Sequence, residues 1–292
     1  MGMNDAMEVK NLATRIFKPI IPEAEGRNMV MAGLVIVIVI LLMAILADLI
    51  APYNPTKLAG KPLSPPSMEN PMGTDNLGRD ILSRVIYGSR IVLVVVFSAA
   101  VVSMSIGVPI GLISGYFGGK LDRAISMIMD SMYAFPSLIL AIAIAAVLGP
   151  SVVNAVVAIS VVYVPTYFRM VRGQTLSLKS RLFVEAARAA GAGNTRIMSK
   201  YIFPNLVTTT IVVFSLSIAD AILTEAGLSF LGFIVTAPTP DWGFDLSSGR
   251  PYLPSGYWWM ITFPGFMVML LALGFALIGE GLSEVYAPGR ER

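Results

Sequence analysis

The chain has 292 residues, 55% of them hydrophobic and only 13% charged, with a mean hydropathy of +0.75. A soluble domain is about a quarter charged, so the question is how many membrane spans there are, not how many globular domains. Cysteine and histidine are both absent. That excludes disulfides, thiolate sites, haem ligation by His or Cys, a His proton relay and a Ser-His-Asp triad, and leaves any zinc site with carboxylates alone, an unusual donor set. The net charge of +3 fits basic cytoplasmic loops better than a nucleic-acid partner.

A spanning helix needs about 20 mostly apolar residues. Residues 1–28 form a polar N-terminal tail. The first apolar run, 29–47, carries no charge and is followed by Asp48. It begins too deep and runs too long for a signal-peptide core, so it reads as a retained span over 29–51. Residues 52–90 are external, Pro-rich at first. From Asp75 the chain reads DNLGRDILSRVIYGSR, with Leu77, Ile81, Leu82, Val85 and Ile86 at helical spacing and charges between. That pattern predicts an amphipathic helix lying on the outer membrane surface.

The second span is predicted at 91–117. The third, 125–149, carries Asp130 and is broken by Gly149-Pro150. The fourth, 151–168, is closed by Arg169. A basic internal loop, 172–204, follows. The fifth span, 206–224, carries Asp220. An external loop rich in Pro, Gly and aromatics covers 234–256, and the sixth span is 257–279. The core thus runs over 91–282, with a tail at 283–292. The reading is an all-α polytopic protein of six transmembrane helices in a lipid bilayer. With the N-terminus inside, the inner segments hold 15 of the 21 Lys and Arg residues, which favours N-in, C-in.

The internal loop reads SRLFVEAARAAGAGNTRIMSKYIFPN. Leu182, Phe183, Ala186, Ala187 and Ala190 fall on one side of a predicted helix, and Glu185 pairs in spacing with Arg188. Gly191 and Gly193 permit a sharp turn. Asn194 or Thr195 can cap a second short helix, which Pro204 is expected to end as the fifth span begins. Two short helices joined at glycines make a projecting knob, whereas a mere connection needs far fewer residues.

Glu185, Ala186, Ala187, Gly191, Ile202 and Pro204 resemble the EAA motif of ATP-binding-cassette (ABC) importer permeases, with Phe203 where Leu is common. Four further stretches extend the resemblance to the second-permease type of the dipeptide/oligopeptide permease family. MGTDNLGRDILSRVIYGSR precedes the second span, and FPSLILAI lies in the third. EAGLSFLGF followed by PTPDWG closes the fifth. FALIGEGLSEVYAP, with Glu280 for Asp and Ser283 for Arg, ends the sixth.

The resemblance implies a type I importer fold in a prokaryotic cell membrane. It implies a heterodimer with a sister permease, two cytoplasmic ABC ATPase subunits and an external substrate-binding protein. It makes the EAA loop the coupling segment that docks on the ATPase. The sequence has no G-x-x-x-x-G-K-[ST] to hold ATP phosphates, so no cofactor is expected in this chain, and ATP with Mg belongs to the partner subunits. Peptide is the expected cargo; oligosaccharide or another small solute is the alternative.

Polar residues within spans are functional candidates by default. Asp130 is either an ion-pair member or a gating residue. Asp220 is expected to face the pathway or the sister subunit. Glu225 is placed at the outer interface, as a cap or pathway residue. Asp241, Trp242 and Gly243 are candidate contacts for the binding protein, and Trp242, Trp258 and Trp259 suit the outer interface as aromatic anchors. Pro109, Pro136, Pro165 and Pro264 are hinges or tolerated kinks. A secondary transporter or channel would call for a midspan ion-binding constellation or inverted repeats, and neither is evident. A membrane hydrolase would need paired acids or an activated nucleophile at membrane depth.

Overall fold

The computed structural model describes residues 24–286. The tail at 1–23 and the residues from 287 onward lie outside it. The elements in chain order are α1 (Ala24–Ile45), α2 (Ala47–Ile50), α3 (Ile81–Phe117), α4 (Gly119–Tyr133), α5 (Ser137–Leu148), α6 (Val152–Leu178), α7 (Leu182–Ala189), α8 (Asn194–Ile197), α9 (Phe203–Phe230), α10 (Trp242–Gly249) and α11 (Trp259–Tyr286). A π-helical turn, Met198–Ile202, joins α8 to α9. Among the described residues the only β feature is an isolated bridge between Thr74 and Asp80.

Five helices are long and apolar enough to cross a membrane, and α4 with α5, bent by 93° at a short break, make a sixth where the pair counts as one span, so that the expected six are compatible with the structure. The expected third span is therefore not a straight helix. Pro136 explains the break: it disfavours helical backbone at the residue before it. At 12 residues α5 is only about 18 Å long, too short to cross alone. Pro109, Pro165 and Pro264, by contrast, sit inside continuous helices.

The expected amphipathic surface helix is replaced by something else. Residues 75–80 form a loop, and 81–90 are the first turns of the 37-residue α3. Asp80 caps that helix, accepting from the Ser83 amide and hydroxyl, both at 2.7 Å. Arg79 and Arg84 are buried, so the charges that suggested a wet face are internal.

The core is a helix bundle in which α3 packs most extensively on α6, and α11 on both α1 and α9. Glycines set these approaches. Gly107, Gly111 and Gly115 recur every fourth residue on α3, and a Cβ on any of them would come within 2.7–2.9 Å of α6 atoms around Tyr167, Phe168 and Arg172. Small residues at this spacing let two backbones come close where no hydrophobic force distinguishes helix from lipid. Opposite, α1 presents Met31, Leu34, Val35, Ile38 and Val39 outward and exposed, as a lipid-facing surface requires.

Candidate functional site

Three constellations carry the predicted residues. The first is the loop on the basic side. α7 buries Val184 and Ala187 against the buried Ile197 and Ile202, while Leu182, Phe183, Glu185, Ala186, Arg188 and Ala190 face outward. The single alanine face expected from sequence is thus split: Ala187 points inward, Ala186 outward. The reason is that Val184 and Ala187, one turn apart, offer the better anchor to the bundle end. Gly191 has φ of +83°, and its amide donates to the Arg188 carbonyl at 3.0 Å. This left-handed turn favours glycine. Gly193 has φ of −70° and needs no such freedom.

Contrary to the expectation from sequence, Pro204 does not end a helix; the chain stays helical from Asn194 to Phe230. Proline has no amide to give, and the π turn absorbs this. The Phe203 amide bonds back to the Met198 carbonyl, and the Asn205 side chain donates to the Tyr201 carbonyl at 2.7 Å. The knob is fixed to the bundle by Tyr116, whose hydroxyl lies 2.8 Å from Asn194 Oδ1. Nearby, Lys179 Nζ donates to the Gly115 carbonyl at 2.8 Å. Arg172 binds Asp122 through two contacts of 2.5 and 2.7 Å.

The second constellation is the span acids. Asp130 lies on α4, none of whose residues is buried, and pairs with Arg169 at 3.3 Å. Arg169 also lies over the Tyr133 ring, 4.4 Å from its centroid. The ion-pair reading of Asp130 fits this geometry. Asp220 on α9 is exposed and accepts from the Tyr163 hydroxyl at 2.6 Å. That hydroxyl lies 3.0 Å from Thr224 Oγ1.

The third is the outer cap. Glu225, expected as a cap or pathway residue, is wholly buried, in electrostatic contact with the Asp241 carboxyl. Asp241 is buried too. Its Oδ1 accepts from the Phe244 amide at 3.1 Å, capping α10, and from the Ser229 hydroxyl. Burial pushes the Asp241 carboxyl above its ordinary value, while Ser229, Glu225 and the Phe244 and Gly243 amides pull it back.

Trp242 is fully buried and donates to the Val85 carbonyl at 2.9 Å. Gly243 packs so closely on Ala226 that a Cβ would lie 2.4 Å from its carbonyl oxygen. Asp241, Trp242 and Gly243 are therefore cap-to-bundle joints rather than exposed contacts for another protein. Trp259 is likewise buried and donates to the Thr74 carbonyl at 3.1 Å; only Trp258 keeps an exposed ring.

Sequence reasoning missed the centre of this cap. Arg84, only 1% exposed, forks onto Asp245 and also donates to the Pro55 and Pro238 carbonyls at 3.1 Å. Asp75 accepts from the Leu77 and Arg79 amides and pairs with the Arg79 guanidinium at 2.5 Å. Burial pushes the Asp245 carboxyl up to about 6, although Arg84 pulls it down. Among the described residues no group of three or more acids could hold a metal ion.

A polytopic helical bundle with an exposed, glycine-turned knob on its basic side and a sealed polar cap on the other has the architecture of a multi-pass membrane transport component. The chain belongs to the binding-protein-dependent transport system inner membrane component family, which matches residues 107–291. The N-terminal TM domain of oligopeptide transport permease C matches residues 27–70. Relatives include the dipeptide transport system permease protein DppC of Alkalihalophilus pseudofirmus, 44% identical over 91% of this chain and 88% of that protein. The protein of the same name from Escherichia coli is 44% identical over 88% and 87%. The probable D,D-dipeptide transport system permease protein DdpC of Escherichia coli is 37% identical over 90% and 89%. The chain is a multi-pass inner-membrane transport permease of an ABC system, and its family is a transport component rather than an enzyme.

Proposed function

We propose that this chain forms half of a peptide translocation pathway, paired with a sister permease and driven by two cytoplasmic ATPases that bind ATP and Mg. Cargo would be delivered by an external binding protein. The dipeptide names of the relatives support the cargo. The observation that carries the mechanism is the continuity of knob and span: α8, the π turn and α9 are one 37-residue helical run. When the ATPases close, a knob held by Val184, Ala187 and Ile202 moves as a rigid body and carries α9 with it. The outward Glu185, Ala186 and Arg188 are the surface offered to the ATPase. Ala187 and Ile202 hold the knob to the bundle, and Gly191 shapes its turn.

The test is transport by the assembled complex carrying Gly191→Val or Glu185→Lys. Both variants are expected to insert and to abolish uptake of a labelled dipeptide, since a β-branched residue resists a positive φ and the charge reversal meets the ATPase. Normal uptake by either would remove the coupling role of that residue.

A further inference from the structure

Asp220 is the one exposed acid of α9, and its depth can be read from the helices. It lies ten residues before Phe230, the outer end of α9, and so about 15 Å in. Tyr163, which donates to it, lies eleven residues after Val152, the outer end of α6, about 16 Å in. Both groups therefore lie inside spanning helices, well short of their ends. An ionisable group at that depth avoids lipid and faces a bundle interior or a water-filled path. No ion pair involves Asp220 among the described residues.

Asp220 lines two open volumes. One, of about 220 Å³, is bounded by Tyr133, Ser137, Tyr163 and Thr166. The other, of about 640 Å³ between α9 and α11, is lined almost wholly by apolar side chains such as Leu216, Leu223, Met269 and Leu273. Tyr163 is 5% exposed and fixed between Asp220 and Thr224, so it sets the direction of the carboxylate. A fixed anion that lines both a polar cleft and an apolar groove is complementary to a small cation that carries an apolar substituent.

We propose that Asp220, oriented by Tyr163, receives the N-terminal ammonium of a peptide in transit, with the first side chain lodged in the α9–α11 groove. This rests on the reading of the cargo as peptide. The contact is transient and involves no covalent step.

The experiment uses the complete complex, with its ATPases and binding protein, in proteoliposomes. Uptake of labelled Ala-Ala is measured for the unaltered complex and for Asp220→Asn, Asp220→Glu and Tyr163→Phe. Asp220→Asn is expected to lower uptake at least tenfold, Asp220→Glu to recover it to within about threefold, and Tyr163→Phe to give an intermediate loss. Photo-leucine placed first in a dipeptide is expected to label residues 216–223 at least fivefold more than photo-leucine placed second.

If the unaltered complex imports no dipeptide, the cargo reading fails. If it imports Ala-Ala and Asp220→Asn does so equally, or Asp220→Glu is as poor as Asp220→Asn, the ammonium site fails. Failure of Asp220→Asn to assemble with the sister permease, or labelling that ignores photo-leucine position or is absent, also overturns it.

Discussion

Arg84 and Asp245 show how a charge can mislead. Arg84 sits among apolar residues at helical spacing, where a charge ordinarily marks a solvated face. Its partner is 161 positions away, and no local pattern announces it. A buried ion pair of this kind is costly to break from one side, about 3–5 kcal/mol, because the remaining charge has no partner. Arg84→Ala is therefore expected to prevent recovery of folded protein from detergent, measured by size-exclusion yield.

The Asp245 carboxyl, raised to about 6 from 3.8, gives a pH dependence of definite sign. An unfolded chain releases this proton near pH 4, whereas the folded chain holds it to about pH 6. The folded state therefore binds more protons in that window, and this contribution to stability is lost as pH rises through it. Between pH 5 and 7 the loss is roughly 1–2 kcal/mol. Thermal unfolding of the purified chain at the two pH values should show it as a slope that Asp245→Asn lacks. The comparison with the variant removes the contributions of all other titrating groups.

At the scale of elements, the apolar runs were legible because a membrane demands them. The broken third span was half legible: Phe135-Pro136 stood in plain view inside an apolar run, and composition alone could not bend it. The glycines at 107, 111 and 115 were also in view and carry a readable spacing, and they mark the α3–α6 contact. Gly111→Leu places a branched side chain where a Cβ already lies 2.7 Å from the Phe168 carbonyl oxygen. It is expected to cost about 1–3 kcal/mol or more and to lower the unfolding midpoint of the detergent-solubilised protein. Gly193→Ala, at an ordinary φ with open space around it, should change stability by only about 0.5 kcal/mol and so barely move that midpoint. The α7 faces were not legible, since eight residues offer two plausible stripes and only the bundle end decides which is covered.

At the scale of the molecule, the outer cap is stitched to α3 by Trp242 and Arg84 and to α9 by Asp241 and Ser229. The segment 75–90 that looked like a separate surface helix is thus part of the second span and of the cap at once. The coupling segment keeps the role its resemblance implied as a proposal, now with an anchored side and an outward side.

The unbroken run from Asn194 to Phe230 has one more consequence. At 1.5 Å per residue it is about 55 Å long, while hydrocarbon fills only about 30 Å. The distance from the inner knob to the outer cap is set by backbone rise, not by the lipid around it. Thicker or thinner bilayers would change how much of this rod is immersed without changing its reach. Uptake measured across acyl chains of 14 to 20 carbons should accordingly vary far less than for a transporter whose gates are hung on short helices, and a sharp optimum at one thickness would show that the rod bends.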